Sequence, residues 1–128
     1  MWKKSNAHED STTPAHLDCG RKGEELALKL LQKEGYRIIE RNFRCPFGEI
    51  DVVARDGKTV VFVEVKARES GRLSPPYLAV GKAKRMKIKK SARYYLNRKR
   101  AGQVECRFDI VSITFDDGPA CELIRGAF

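Results

Sequence analysis

The chain has 128 residues, 41% of them hydrophobic, and these values predict one domain with a single core. No run of about 18 apolar residues is present and no apolar segment follows Lys3 and Lys4, so we expect a cytoplasmic protein with no membrane-spanning helix, no secretory signal and no membrane partner. The formal net charge is +9, and the spacing of the four cysteines is typical of neither a zinc site nor a disulfide framework.

The first part of the chain is predicted to be a tail followed by a helix. Residues 1–16 are polar and are expected to be disordered, so the single domain comprises residues 17–128. Within residues 17–34, hydrophobic side chains recur at the spacing of a helix. Gly20 and Gly23 lie on one turn of this helix, and they indicate either close approach of another backbone or a ligand, or a frayed first turn.

Three strands are predicted after this helix, over residues 36–42, 48–55 and 59–67. The last of them is rich in β-branched and aromatic residues and is expected to be buried on both faces. Asp56 and Gly57 lie between the second and third strands and are typical of a two-residue hairpin turn of type I′. Such a turn would pair Arg55 with Lys58.

Four charged side chains are expected to share one face of this hairpin, because side chains alternate along a strand. They are Glu49, Asp51, Glu64 and Lys66. Counting from the turn places Glu49 opposite Glu64 and Asp51 diagonal to Glu64, within about 7–8 Å. Crowded carboxylates beside apolar residues would be stabilised by a divalent cation, and oxygen ligands without His or Cys favour Mg²⁺ or Mn²⁺. Glu49 is a further candidate for this site. The alternative is a hairpin end exposed to water, with Glu64 and Lys66 as an ordinary surface ion pair.

A loop, a helix, a strand and a short edge strand are predicted next, over residues 68–78, 80–100, 104–115 and 121–124. Residues 70–104 contain eleven of the 26 basic residues and no acidic one, so 15 basic residues oppose 17 acidic ones in the rest of the chain. This asymmetric charge favours nucleic acid as a partner. The alternative is a solvated helix face.

Five ordered blocks of sequence make the chain recognisable. They are Gly20-x-x-Gly23-Glu24-x-x-Ala27, Arg41-Asn42-Phe43-Arg44, Gly48-Glu49-Ile50-Asp51, Phe62-Val63-Glu64-Val65-Lys66 and Arg107-Phe108-Asp109. Together they resemble the YraN family of uncharacterised bacterial proteins, over about residues 17–128. Asp51 and the Glu64-Val65-Lys66 block resemble the D…(D/E)-x-K signature of the restriction-endonuclease-like superfamily, although no proline precedes Asp51 as that signature often has.

The resemblance implies an α/β fold with a restriction-endonuclease-like αβββαβ core, in which helices flank a mixed central sheet as in archaeal Holliday-junction resolvases. Asp51 and Glu64 would then bind Mg²⁺ or Mn²⁺ together with the backbone carbonyl of Val65. Lys66 would be the catalytic lysine, and Glu24 an accessory acid of the catalytic site.

Nucleic-acid contacts are expected from the loop and the helix that follow Lys66. The candidates are Arg68, Arg72, Lys82, Lys84, Arg85 and Lys87. Such contacts to phosphates would position a duplex without reading its sequence. The resemblance implies a Mg²⁺-dependent endonuclease with branched DNA as a candidate substrate, and a homodimer would suit a junction with two-fold symmetry.

Two other functions remain open. A non-catalytic nucleic-acid-binding or adaptor module could use the same fold, but the intact set of Asp51, Glu64 and Lys66 argues against it. An RNA-binding basic protein fits the Lys-rich helix but not the acidic face of the hairpin, so we expect DNA rather than RNA. Asp109 is expected to support the core rather than the site.

Overall fold

The chain folds into a five-stranded sheet with a helix on each face, in a computed structural model that describes residues 15–68, 80–115 and 118–128. The elements in chain order are α1 (Ala15–Lys33), β1 (Arg37–Cys45), β2 (Gly48–Asp56), β3 (Thr59–Arg68), α2 (Lys82–Arg98), β4 (Cys106–Thr114) and β5 (Ala120–Ile124). This order confirms the predicted αβββαβ core and the additional edge strand. The first helix begins two residues earlier than predicted, and the predicted tail at residues 1–14 lies outside the described residues.

The strands lie in the order β1-β2-β3-β4-β5, so each strand neighbours the next one along the chain. All neighbouring pairs are antiparallel except β3 and β4, which are parallel. A parallel pair needs a crossover connection, and α2 lies in it. The predicted mixed sheet is therefore confirmed.

The predicted burial of β3 on both faces is confirmed. Val61 and Val63 pack in the cluster that contains α1, whereas Val60 and Phe62 pack in the cluster that contains α2. Each of these four side chains is at most 5% exposed. Because side chains alternate along a strand, Glu64 lies on the same face as Val60 and Phe62 and points towards α2.

The hairpin turn between β2 and β3 differs from the predicted one. Asp56 pairs with Thr59, so the two-residue loop is Gly57-Lys58, and Arg55 pairs with Val60 instead of Lys58. Gly57 has φ +65° and Lys58 is not among the residues with positive φ, which is the pattern of a type II′ turn with Gly at its first central position. The predicted type I′ turn is wrong, because this Gly serves the first position of the loop and not the second. The register moves by two residues, so each side chain within the paired part of the hairpin stays on its predicted face.

Glycine is required at two places that fix α1. Gly35 has φ +92° and ends the helix in a Schellman motif, in which the Tyr36 N–H donates to the Leu31 carbonyl at 2.9 Å. Gly23 faces β3, where a Cβ atom would lie 2.7 Å from the Cβ of Ala67. The predicted close approach at Gly23 is therefore confirmed, and it is an approach to a strand of the sheet.

We expect Gly23→Val to lower the free energy of unfolding by about 1–3 kcal/mol, since the new side chain cannot fit without moving α1 away from Ala67. The matched control is Lys29→Val, which adds the same residue at an exposed position of the same helix and should cost no more than about 0.7 kcal/mol. Urea unfolding followed by circular dichroism measures both. Equal stability of the two variants would contradict the packing described.

Candidate metal and nucleic-acid site

A cleft opens where β2 and β3 separate. Their ladder ends at the pair Val52–Val63, although both strands continue beyond it. From there β2 stays paired with β1 as far as Gly48, while β3 stays paired with β4 as far as Arg68. The two halves of the sheet therefore diverge and leave backbone groups on their inner edges without a ladder partner from the facing strand.

The carboxylate of Asp51 lies in this cleft. Its Oδ2 accepts a hydrogen bond from the Val65 N–H at 2.8 Å, in the place of a backbone acceptor on β2. In an extended strand the N–H and C=O of one residue point to the same side. The Val65 carbonyl therefore faces the same edge as the Asp51 carboxylate, as a backbone ligand would need.

The alternation of side chains is interrupted at Asp51. Ile50 packs with its partner Phe43 in the α2 cluster, but Val52 packs in the α1 cluster, although residues two apart normally share a face. Asn42, between the paired positions on the facing strand, has φ +56°. This irregularity turns the Asp51 side chain into the cleft.

Glu64 lies beside this carboxylate. The charge of Glu64 acts on the Asp51 carboxyl group, but the ladder pairs Phe62 with Val53, so the predicted register, with Asp51 opposite Phe62 and diagonal to Glu64, is wrong. The predicted pair of Glu49 with Glu64 is wrong for the same reason. Glu49 is exposed, and its Oε2 lies 3.7 Å from the Nε of Arg44.

Helix α2 completes the site. A cavity of about 430 Å³ separates it from the strands. The cavity is lined by Gly48, Glu49, Asp51 and Glu64 of the strands and by Ala83, Lys84, Lys87 and Ile88 of α2. Lys84 Nζ contacts Glu64 Oε2 at 2.8 Å, and the Glu64 side chain is only 6% exposed. Three carboxylates and two ammonium groups thus line one cavity, and the carboxylate of Glu49 is the exposed one.

The other two predicted catalytic residues do not line the cavity. Lys66 is two residues beyond Glu64 on β3, pairs with Ser112 of β4 and is partly buried. Glu24 lies on α1, where burial raises its pKa, and the charge of Arg41 partly offsets that rise.

The predicted nucleic-acid contacts separate into groups. Lys84 and Lys87 line the cavity, whereas Lys82 is exposed outside it. Arg85 donates from Nε to the Val80 carbonyl at 3.0 Å, and its guanidinium lies 5.6 Å from the centre of the Phe128 ring, so it has a packing role. Arg68 is the last residue of β3, and the predicted loop with Arg72 lies outside the described residues.

The charges in the cleft repel one another. Burial raises the pKa of Asp51 well above its usual range, and the negative charge of Glu64 raises it further, whereas the Val65 N–H lowers it. The pKa of Lys84 is raised, chiefly by its hydrogen bond to Glu64. A divalent cation between the two carboxylates would offset their repulsion and favour the ionised form of Asp51.

The described residues contain no cluster of three or more His, Cys, Asp and Glu side chains suited to a metal ion. A cation in the cleft would therefore depend on two carboxylates and the Val65 carbonyl, with the remaining positions left to water or phosphate oxygens. Mg²⁺ is commonly bound in this way, through one or two carboxylates and the substrate.

A larger cavity of about 730 Å³ lies near the other end of α2, beside Arg37, Arg55 and Lys99. Its lining contains no carboxylate, so it is unsuited to a cation.

The raised pKa of Asp51 predicts a pH-dependent stability without metal. A carboxyl group whose pKa is higher in the folded state stabilises the fold at low pH, and this contribution is lost as the pH rises through the folded pKa. Asp51→Asn removes the charge and keeps an acceptor for the Val65 N–H. In EDTA its free energy of unfolding, relative to that of the wild type, should increase as the pH rises above about 3.9, the ordinary pKa of an aspartate, and through the higher pKa of folded Asp51.

Urea unfolding at several pH values measures this difference. The control is Glu105→Gln, which removes an exposed carboxylate and should follow the wild type at every pH. A wild type that gains stability over Asp51→Asn as the pH rises would contradict the electrostatics of the cleft.

The pairing of Lys84 with Glu64 was not predicted. The sequence identified Lys84 only as a phosphate contact, since nothing in its spacing indicates which strand residue the first turn of α2 will meet.

In the part of the chain that the structure describes, no helix is both long and apolar enough to cross a membrane.

Comparisons with known proteins agree on one group. The model of "Uncharacterised protein family UPF0102" matches residues 23–113, which include the whole cavity lining. A "UPF0102 protein" of Syntrophus aciditrophicus is 48% identical over 114 residues, covering 88% of this chain and 90% of the relative. Others from Geobacter metallireducens and Moorella thermoacetica are 53% and 43% identical, over 85% of this chain and 90% and 93% of theirs.

Proposed function

The chain belongs to the UPF0102 (YraN) family within the restriction-endonuclease-like superfamily, and from this premise we propose that it is a metal-dependent endonuclease that hydrolyses phosphodiester bonds in nucleic acid. One observation supports this most strongly. The carboxylates of Asp51 and Glu64 meet in a cleft that faces a strongly basic helix. Buried like charges of this kind destabilise a fold, which makes a role in function the better explanation for them.

Asp51, Glu64 and the Val65 carbonyl would hold the cation. A bound Mg²⁺ or Mn²⁺ would supply Lewis acidity, which stabilises charge on a phosphate and lowers the pKa of a bound water. The side chains of the protein would orient the reactants and stabilise the charge that develops. Lys66 would orient the attacking water or offset the negative charge that develops on the phosphate.

The basic side chains would position the substrate. Lys84 and Lys87 line the cavity beside the carboxylates, so a phosphate between α2 and the cleft would be within their reach. Contacts to phosphates do not read base sequence, and we propose selection by substrate shape, with branched DNA as the first candidate. DNA is proposed over RNA as the partner.

A non-catalytic binding module is the second candidate. The observation that favours it is the contact of Lys84 with Glu64, which neutralises one carboxylate without a metal. A permanent ion pair of this kind would leave a basic surface that binds nucleic acid and cuts nothing.

A cleavage screen separates the two candidates. Purified protein is incubated with linear, flap and four-way DNA, and with RNA of the same shapes, in Mg²⁺, Mn²⁺ or EDTA. The proposal predicts cleavage of at least one DNA substrate with a divalent cation and none in EDTA. Tight binding of every substrate without cleavage in either metal would support the binding module instead.

A further inference from the structure

The ion pair between Lys84 and Glu64 joins a proposed metal ligand to a proposed phosphate contact. A carboxylate as buried as that of Glu64 requires a positive partner, because an unpaired charge away from water is costly. Lys84 supplies it from the first turn of α2, and its own side chain is 48% exposed. The ammonium group is therefore held at the carboxylate but remains in contact with solvent.

A divalent cation at Glu64 would compete with this lysine. Both positive charges require the same carboxylate, and two cations that share one carboxylate repel each other strongly at close range. Uptake of the metal would therefore weaken the contact of Lys84 Nζ with Oε2. The freed ammonium would be at the mouth of the cavity, on the helix that would face the phosphates.

We propose that Lys84 is a displaceable counter-ion, which neutralises Glu64 while no divalent cation is bound and moves to a phosphate of the nucleic acid when the cation takes its place. This inference rests on the proposed function of the same site. It assigns Lys84 a positioning role beyond phosphate contact, because the residue couples the binding of the metal to the binding of the substrate.

The coupling follows from the number of ligands. Glu49 also lines the cavity, but it is exposed, and the described residues contain no group of three carboxylates placed to hold a metal. A cation on Asp51 and Glu64 would therefore gain from phosphate oxygens, while the phosphate would gain from the lysine that the cation releases. Each ligand thus improves the site for the other. Such coupling is reciprocal and typically changes affinity by about 5- to 150-fold.

The test measures Mn²⁺ binding by titration calorimetry, with and without a short DNA duplex that has uncleavable phosphorothioate linkages. Lys84→Met removes the competing ammonium and keeps a side chain of similar length. Lys58→Met is the matched control, because it makes the same change at an exposed lysine in the turn between β2 and β3, outside the cavity lining.

Lys84→Met is expected to bind Mn²⁺ about tenfold more tightly than the wild type when no DNA is present. Lys58→Met should change this affinity by less than about threefold, as expected for an exposed charge that does not contact the ligand. The duplex should tighten Mn²⁺ binding in the wild type and in Lys58→Met, but much less in Lys84→Met. Unchanged Mn²⁺ affinity in Lys84→Met, or an undiminished effect of DNA in it, would overturn the proposal.

Thermal unfolding provides a readout that does not depend on tight binding. Without metal, Lys84→Met leaves Glu64 without its partner, so its melting temperature should be below that of the wild type and should rise more when Mn²⁺ is added. A variant unfolded in EDTA should refold with Mn²⁺, and failure to do so would also overturn the proposal. If neither the wild type nor Lys84→Met binds Mn²⁺ even with DNA, the proposed function itself fails. If both bind it equally, only the role of Lys84 fails.

Discussion

Glu64→Gln and Lys66→Met are each expected to lower the rate of phosphodiester cleavage by at least about a hundredfold, while nucleic-acid affinity stays within about threefold of the wild type. The first change removes a carboxylate ligand from the cleft and keeps its shape. The second removes an ammonium group two residues farther along β3, on the same face of the strand. Neither change removes a basic side chain of α2, and Glu64→Gln releases Lys84 to contact a phosphate even when no cation is bound, so binding should persist.

Single-turnover cleavage at saturating protein measures the chemical step, and fluorescence anisotropy measures affinity on the same substrate. Glu105→Gln is the control, since it removes an exposed carboxylate beside Val60, at the other end of β3 from the cleft. It should cleave like the wild type. Full activity in Glu64→Gln and Lys66→Met would reject the assignment of these residues.

Asp109→Ala is expected to have the largest effect on stability, with a loss of about 3–5 kcal/mol in the free energy of unfolding. The Asp109 side chain is completely buried and accepts hydrogen bonds from the Tyr36 hydroxyl at 2.6 Å, Arg107 Nε at 2.9 Å and the Gly126 N–H at 2.9 Å. Removing the carboxylate leaves the Arg107 guanidinium without its main buried partner. The same contacts fasten the carboxyl-terminal segment to the end of α1.

Guanidinium chloride unfolding measures this loss. Tyr36→Phe removes one hydroxyl from the network and should cost about 0.5–1.5 kcal/mol, which distinguishes loss of the charge from loss of one hydrogen bond. Asp109→Ala that is still folded should cleave at the wild-type rate, because Asp109 does not line the cleft. Unfolding free energies within about 1 kcal/mol of the wild type would contradict the network.

The elements of the fold were predictable because local patterns determine them. The apolar run Val60–Val63 is long enough for a strand and too uniformly apolar for a surface one, and it forms the middle strand of the sheet. The turn was harder to predict. Gly57 is compatible with either the first or the second position of a two-residue loop, and only pairing across the whole hairpin selects the first.

The meeting of Asp51 with Glu64 was predictable for a limited reason. A register error of two residues keeps both side chains on one face of the hairpin. Asp51 and Glu64 were therefore predicted correctly to lie in one site, although their predicted cross-strand partners were wrong. The contact of Lys84 with Glu64 was beyond prediction, because it depends on where the crossover helix packs. The change of face between Ile50 and Val52, on either side of Asp51, was not predictable either, because the hydrophobic pattern of the sequence does not indicate it.

Asp51 and Glu64 are proposed to hold a divalent cation against a nucleic-acid phosphate. Anomalous diffraction from crystals grown with MnCl₂ and an uncleavable duplex would locate that cation. We predict a manganese peak at coordination distance from both carboxylates and the Val65 carbonyl, with a phosphate oxygen among its ligands. Ordered nucleic acid in those crystals with no manganese between the two carboxylates would contradict it.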